Sequence, residues 1–260
     1  MIVVLAERRD FGARRVYDAL TRRVGADRVM RVLPGDLVGA RWSHRVSTTG
    51  LVANVVRLRD GRQLAPDAVL QRLTGLPAPS HADERDREYV HSELTALVAS
   101  WLLSLGRRVL GTTGAYASVA GVPPITALTH ARDCGLPVSR RATMTRGGLI
   151  GPASPGERHL PRVAWPGGSS TPVPVDVVPE APVTSRLLVV AGQVHGPLAD
   201  RFTEAACQLA TALQTSLVEL SFAAGPRLVE VSLMPQLTTG DAEAVTGALV
   251  DIATTGSSRG

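Results

Sequence analysis

The sequence predicts an α/β fold that closes in an α+β segment, and three observations carry that prediction. At the start of the chain an apolar run, a helical pattern and a second apolar run follow one another. A long helical stripe over residues 83–105 leads directly into another short apolar run. Near the end, two strand-like runs flank Ala224-Gly225-Pro226, and a last helical pattern follows them.

The elements follow in order. Residues 2–6 are uniformly apolar, as a strand covered on both faces must be. Val16, Tyr17, Leu20 and Val24 recur at helical spacing, and Gly25 ends that helix. Val29 to Leu33 is a second strand. Val56 and Leu58 alternate with Arg57 and Arg59 ahead of the hairpin turn Asp60-Gly61. Ala68 to Leu73 is a further central strand. In the helix from Asp83 to Leu105, Val90, Leu94, Leu97, Val98, Trp101, Leu102 and Leu105 form the apolar stripe, and Gly106 stops it. Val109-Leu110 starts the next strand. Pro123-Pro124 opens a helix that ends at Cys134-Gly135, and Leu136 to Thr143 is a strand.

Residues 146–182 break this pattern. Gly and Pro recur so densely that no helix can persist, although short strands fit Arg162–Trp165 and Val173–Val178. The expectation is a reduced, mobile lid. Order resumes with a strand from Leu187 to Ala191 and a helix from Ala199 to Thr215. The hairpin Leu217–Phe222 and Arg227–Ser232 follows, and a helix spans Asp241 to Ala253. The expected organisation is an N-terminal α/β domain over 1–110, a reduced central segment over 111–182 and a C-terminal part over 183–260.

Composition narrows the function. The chain of 260 residues carries a formal charge of +5, and all 28 basic residues are arginine. Arginines alternate with acids, as in Asp83-Glu84-Arg85-Asp86-Arg87-Glu88, and no basic stripe is flanked by aromatics, which argues against a nucleic-acid partner. Cys134 and Cys207 stand alone, without metal or redox spacing. No run of about 18 apolar residues is present, so no membrane span and a cytoplasmic location are expected.

In this order, several motifs resemble the ATP-grasp enzymes that act on peptides. They are Val69-Leu70-Gln71-Arg72-Leu73; Asp86-Arg87-Glu88-Tyr89 with Glu93; and Val109-Leu110-Gly111. Ala131, Gly135-Leu136-Pro137-Val138 and Thr143 continue the series, followed by the Val183–Val194 strand with Arg186. Glu219 and Val229-Glu230-Val231-Ser232-Leu233-Met234-Pro235 close it. The resemblance implies an ATP-grasp-like fold with a reduced central lid subdomain. It also implies a Mg²⁺ site built from Glu219, Glu230 and Ser232, since hard cations take oxygen ligands. Two lysines that would hold nucleotide phosphates in that family are absent: their positions match Pro124 and Trp165, and neither side chain donates a charged hydrogen bond.

The expectation is therefore an enzyme of specialised bacterial peptide or natural-product biosynthesis that needs no ATP or other cofactor. It would apply acid–base chemistry (cyclisation, elimination or hydrolysis) to a small or peptide-like substrate. Glu219, Glu230, His195 and Arg186 are the catalytic candidates. Arg72, Tyr89, Arg162 and Trp165 are the substrate-binding ones. The alternatives are an ATP- and Mg²⁺-dependent carboxylate–amine ligase in which arginine replaces lysine, and a non-catalytic subunit that grips a peptide or partner enzyme. A reduced lid leaves cleft walls to cover, and a homodimer is one way to cover them.

Overall fold

In a computed structural model of the chain, the described residues are 1–49, 52–77, 83, 85–113, 124–139, 142–144, 157–161, 175–179 and 182–257. The opening unit is a parallel βαβ. Strand β1 (Ile2–Ala6) pairs in parallel with β2 (Val29–Val32) on one side and with β6 (Ala68–Arg72) on the other. β6 pairs in parallel with β7 (Val109–Leu110), giving the order β2-β1-β6-β7. Every residue of β1 is buried, because its two faces feed two different cores. Helix α1 (Phe11–Val24) starts where the Asp10 carboxylate accepts from Ala13 N at 2.9 Å. It stops at Gly25, whose φ of 93° suits glycine and whose N–H closes on Thr21 O.

Beyond the short helix α2 (Pro34–Val38), strands β3 (Arg41–Val46), β4 (Val52–Arg57) and β5 (Gln63–Leu64) form an antiparallel sheet in that order. The sequence pattern had indicated only its second half. Helix α3 (Arg87–Leu105) begins four residues later than the periodicity predicts. Val98, Trp101, Leu102 and Leu105 are buried, whereas Val90, Leu94 and Leu97 are half-buried. The stripe therefore overstates the buried length. Trp101 meets Trp42 edge-on at 5.9 Å, joining α3 to the β3–β5 sheet in a core shared with Val3, Leu5 and Val69.

Helix α4 (Pro124–Asp133) opens at Pro124 as the sequence predicts. The expected strand from Leu136 to Thr143 is corrected. Residues 136–139 make a single parallel bridge, Val138 to Leu228, β8 covers Ala142–Met144, and residues 140–141 lie outside the described residues. Leu228 N donates to Pro137 O at 2.7 Å and Ser139 N donates to Leu228 O at 2.8 Å, the two bonds of that one bridge. Strands β9 (Glu157–Pro161) and β10 (Val175–Pro179) complete a second antiparallel sheet, β8-β10-β9. The expected strand at Arg162–Trp165 lies outside the described residues, as does most of the expected mobile lid.

The C-terminal sheet is antiparallel, in the order β12-β11-β13-β14. It contains β11 (Val183–Val190), β12 (Gln193–His195), β13 (Leu217–Ala223) and β14 (Arg227–Ser232). Helix α5 (Ala199–Ala212) covers one face through Phe202, Ala206 and Leu209, which pack on Leu187, Val189, Val218 and Phe222. Helix α6 (Thr239–Ser257) covers part of the other. Its Val245 and Leu249 are fully buried with Val16 and Leu20 of α1 and with Leu188, Val190 and Leu217 of the C-terminal sheet. Each such side chain is worth about 1.5–3 kcal/mol in burial, so the last helix ties the C-terminal sheet to the first strands.

Candidate functional site

The β-ladder determines which side chains share a face, since directly opposite residues project to the same side. His195 lies opposite Leu188, Leu188 opposite Glu219, and Glu219 opposite Ser232. One step along, Arg186 lies opposite Ser221, and Ser221 opposite Glu230. Arg186, His195, Glu219, Glu230 and Ser232 therefore occupy one face of the C-terminal sheet. This is the face that α6 covers, and the charged residues sit at the start of that helix.

Arg186 organises the cluster. Its Nη2 donates to Glu219 Oε2 at 2.8 Å and to Gln236 O at 2.8 Å, and its Nη1 donates to Asp241 Oδ2 at 2.7 Å. Its Nε lies 2.8 Å from Glu219 Oε1 but off the hydrogen-bonding line, so that contact is an ion pair only. Glu219 also accepts from Gln236 N at 3.0 Å. The side chains of Glu219 and Asp241 are only 13% and 15% exposed, so water competes weakly for these contacts. Burial pulls the Arg186 pKa down, but its bonds to Glu219 and Asp241 outweigh that and raise it above its ordinary value. For Asp241, burial opposes ionisation, yet the bonds from Thr238 and the charge of Arg186 hold its carboxyl below the usual range.

Asp241 has a second role. Thr238 N and Thr238 Oγ1 both donate to Asp241 Oδ2, at 2.8 and 2.7 Å, and Asp241 N returns to Thr238 Oγ1 at 3.3 Å. This reciprocal cap starts α6. The sequence analysis missed Asp241 and Gln236 as partners of Arg186. The Thr238-x-x-Asp241 spacing signals the cap, but nothing local signals the arginine.

Glu230 stands apart. It is exposed, and no ion pair holds it among the described residues. By the ladder it is the diagonal neighbour of Glu219, roughly 7–8 Å away. Ser232 Oγ accepts from Met234 N at 3.2 Å. His195 is half-buried at the far side of the face. Gly196 follows it with φ 129°, and a Cβ there would come within 2.3 Å of Arg186 O, so β12 can approach Arg186 only through a glycine.

The other candidates lie elsewhere. Arg72, at the end of β6, is 5% exposed and donates to Asp10, with Nε to Oδ2 at 2.7 Å and Nη2 to Oδ1 at 3.3 Å. Its Nη1 is buried without a partner among the described residues. Nothing local in the sequence marks Asp10 as the partner of Arg72, which lies 62 positions away. Tyr89 is 68% exposed on α3 and contributes nothing to the β11–β14 face. Arg162 and Trp165 lie outside the described residues.

A divalent cation on Glu219 would sit against the Arg186 guanidinium, a like charge at contact distance. Among the described residues no group of three or more His, Cys, Asp or Glu converges to hold a metal. Glu219, Glu230 and Ser232 in this arrangement do not fit Mg²⁺ unless Arg186 moves. No described helix is long and apolar enough to cross a membrane.

No family model and no curated protein sequence matches the chain. Solved structures do. The ATP-grasp ligase PsnB, complexed with minimal precursor, Mg and ADP, matches with a TM-score of 0.65 at 16% identity, over 97% of this chain and 98% of that one. Macrocyclase MdnB from Microcystis aeruginosa MRC gives 0.66 at 16% identity, over 97% and 98%. The D-alanine-D-alanine ligase from Coxiella burnetii gives 0.55 at 12% identity, over 98% and 94%. Over nearly its whole length, this chain has the fold of the ATP-grasp ligases.

Proposed function

We propose that this chain is an ATP-grasp-fold enzyme of peptide modification that uses the β11–β14 face for acid–base chemistry without ATP. The observation that carries this reading is the state of Glu219. Both of its oxygens are taken up by Arg186 and Gln236 N, so the carboxylate that the resemblance assigns to Mg²⁺ is neutralised from within. The absence of any lysine in the sequence points the same way. Glu230 is then the free carboxylate of the face. It would take a proton from a substrate nucleophile, while Ser232 and His195 orient the groups around it. Arg186 holds Glu219, the 236 carbonyl and the start of α6 in place, and so acts as a positioning residue.

A peptide or peptide-like substrate is favoured because solved ligases of this fold include complexes with precursor peptides, such as PsnB with PsnA2 and MdnC with MdnA. The test is a single substitution. Glu230→Gln should lower turnover of the peptide substrate by about 10²-fold or more, with an unchanged thermal midpoint. Full activity in that variant would move the chemistry off this face.

A second reading rests on the Mg and ADP bound in the PsnB structure. In it the chain is a carboxylate–amine ligase whose Arg186 swings from Glu219 to the nucleotide phosphates. That reading requires Mg²⁺ and ATP to bind together, and to compete with the Arg186–Glu219 pair.

A further inference from the structure

The β3–β5 sheet carries a charge pattern that the β11–β14 face does not explain. Its residues alternate in direction. Trp42, Val56 and Leu64 face the core with Trp101, and Arg41, Ser43, Arg45, Val55, Arg57 and Gln63 face the other way. Arg41 and Arg57 are directly opposite each other on neighbouring strands. Like charges so placed repel, and an acidic neighbour would offset them.

Nothing in the described chain does. β3, β4 and β5 contain no Asp or Glu. The two acids that flank them are engaged elsewhere. Asp60 holds Arg62 at 2.6 Å, and Asp36 accepts from Leu33 N at 2.9 Å. Arg41, Arg57 and Arg59 have no carboxylate partner among the described residues. Together with Leu58, Gly39 and Gly61, the three line a cavity of about 500 Å³. Gly39 belongs to the construction of this pocket. A Cβ there would lie 2.1 Å from Arg59 Nε, so any larger residue displaces that guanidinium.

We propose that this arginine-lined pocket and the adjoining face of β3 dock an extended acidic peptide segment. The choice of a peptide rests on the peptide reading above, and the charge pattern supports it independently. Arg41 and Arg45 lie on one face of one strand four residues apart, about 13 Å at the rise of an extended chain. Carboxylates four residues apart in an extended segment have that same spacing. β3 is an edge strand in the order β3-β4-β5, so its outer side is open to a segment laid along it. Single-stranded nucleic acid is disfavoured, because it needs aromatic platforms and the one tryptophan of this sheet is turned into the core. The pocket is also separate from the Arg186 cluster. The β3–β5 sheet packs on the core reached by Val3 and Leu5, and α6 packs on the opposite side of the same parallel sheet.

The experiment measures fluorescence anisotropy of a labelled alternating Glu-Ala peptide with the full chain, at low and physiological ionic strength. Binding is expected, weakening with salt, and the matching Gln-Ala peptide should not bind. The double variant Arg41→Gln/Arg57→Gln should weaken binding by about tenfold or more. Its thermal midpoint should be unchanged or raised, since two opposed charges are removed. Gly39→Ala, at a backbone φ of −86° that alanine accepts, should also weaken binding by displacing Arg59. Equal binding by the double variant, or equal binding of the Gln-Ala peptide, would overturn the proposal. So would tighter binding of single-stranded DNA, or displacement of the peptide by an equal concentration of inorganic phosphate. The readout is binding and not turnover, so the two readings fail separately. A fully active Glu230→Gln variant that still binds the peptide defeats the cleft chemistry alone.

Discussion

Arg186 spends three of its five N–H donors on Glu219, Gln236 and Asp241, which fixes the guanidinium in place. It joins a strand residue, a loop carbonyl and a helix cap, and it neutralises one of two flanking carboxylates outright. Its removal strands Glu219 and Asp241 in a poorly hydrated corner. Arg186→Gln should therefore destabilise the fold by about 2–4 kcal/mol, as expected when one partner of a largely buried charge pair is lost. A double-mutant cycle with Glu219→Gln in urea denaturation should return a coupling energy above about 1 kcal/mol. Additive effects would mean that the pair is not coupled.

The same cluster sets a pH dependence. The folded pKa of Asp241 is held below its ordinary value of 3.8 by Thr238 and Arg186, against the opposing effect of burial. A depressed carboxylate contributes stability above its unfolded pKa and loses it as pH falls through the folded value. The chain should thus lose stability on acidification below about pH 4, and Asp241→Asn should flatten that part of the curve. Urea midpoints measured from pH 6 down to pH 2 test this; an unchanged acid limb in the variant would assign the loss to other groups.

At the scale of elements, β12 and β11 are held in register by a glycine that no other residue can replace without strain. Gly196 combines a φ of 129° with backbone contact to Arg186 O. Gly196→Ala should cost about 1–3 kcal/mol, and it should shift the backbone amide resonances of Arg186 and His195 first. An unperturbed spectrum would show that the strands tolerate the side chain.

Legibility in the sequence followed the range of the interactions. Val16, Tyr17, Leu20, Val24 and Gly25 mark α1 within its own span, and the Leu217–Ser232 hairpin is specified by Ala224-Gly225-Pro226. Over residues 136–139 the expected strand reduces to one bridge, because apolar composition does not reveal whether a ladder partner exists. β3 was missed because Arg41, Ser43 and Arg45 carry a polar alternation on a face that has no apolar signal of its own. Glu219, Glu230 and Arg186 were legible through the order of their motifs. The Arg186–Asp241 bond was not, since it spans 55 positions and leaves no local pattern.

At the scale of the whole molecule, the first strands and the last helix form one core. Val245, Leu249 and Ala242 of α6 bury against Val16 and Leu20 of α1 and the parallel sheet. A chain ending before Thr239 should lose its cooperative thermal transition, because most of the cover on that side of β1 and β6 is removed. A sharp transition retained in the truncated chain would show that the chain folds without α6.

The proposal that the β11–β14 face works without nucleotide, with Glu219 held by Arg186 and Gln236 N, is tested most directly by nucleotide binding. Isothermal titration of the full chain with ATP in the presence of Mg²⁺ should give no heat of binding at tens of micromolar, within the range expected of a working enzyme. Arg186→Gln should not restore it, because no lysine is present to take the phosphates. A low-micromolar dissociation constant for ATP, dependent on Mg²⁺ and abolished by Glu219→Gln, would contradict the account and establish the ligase reading in its place.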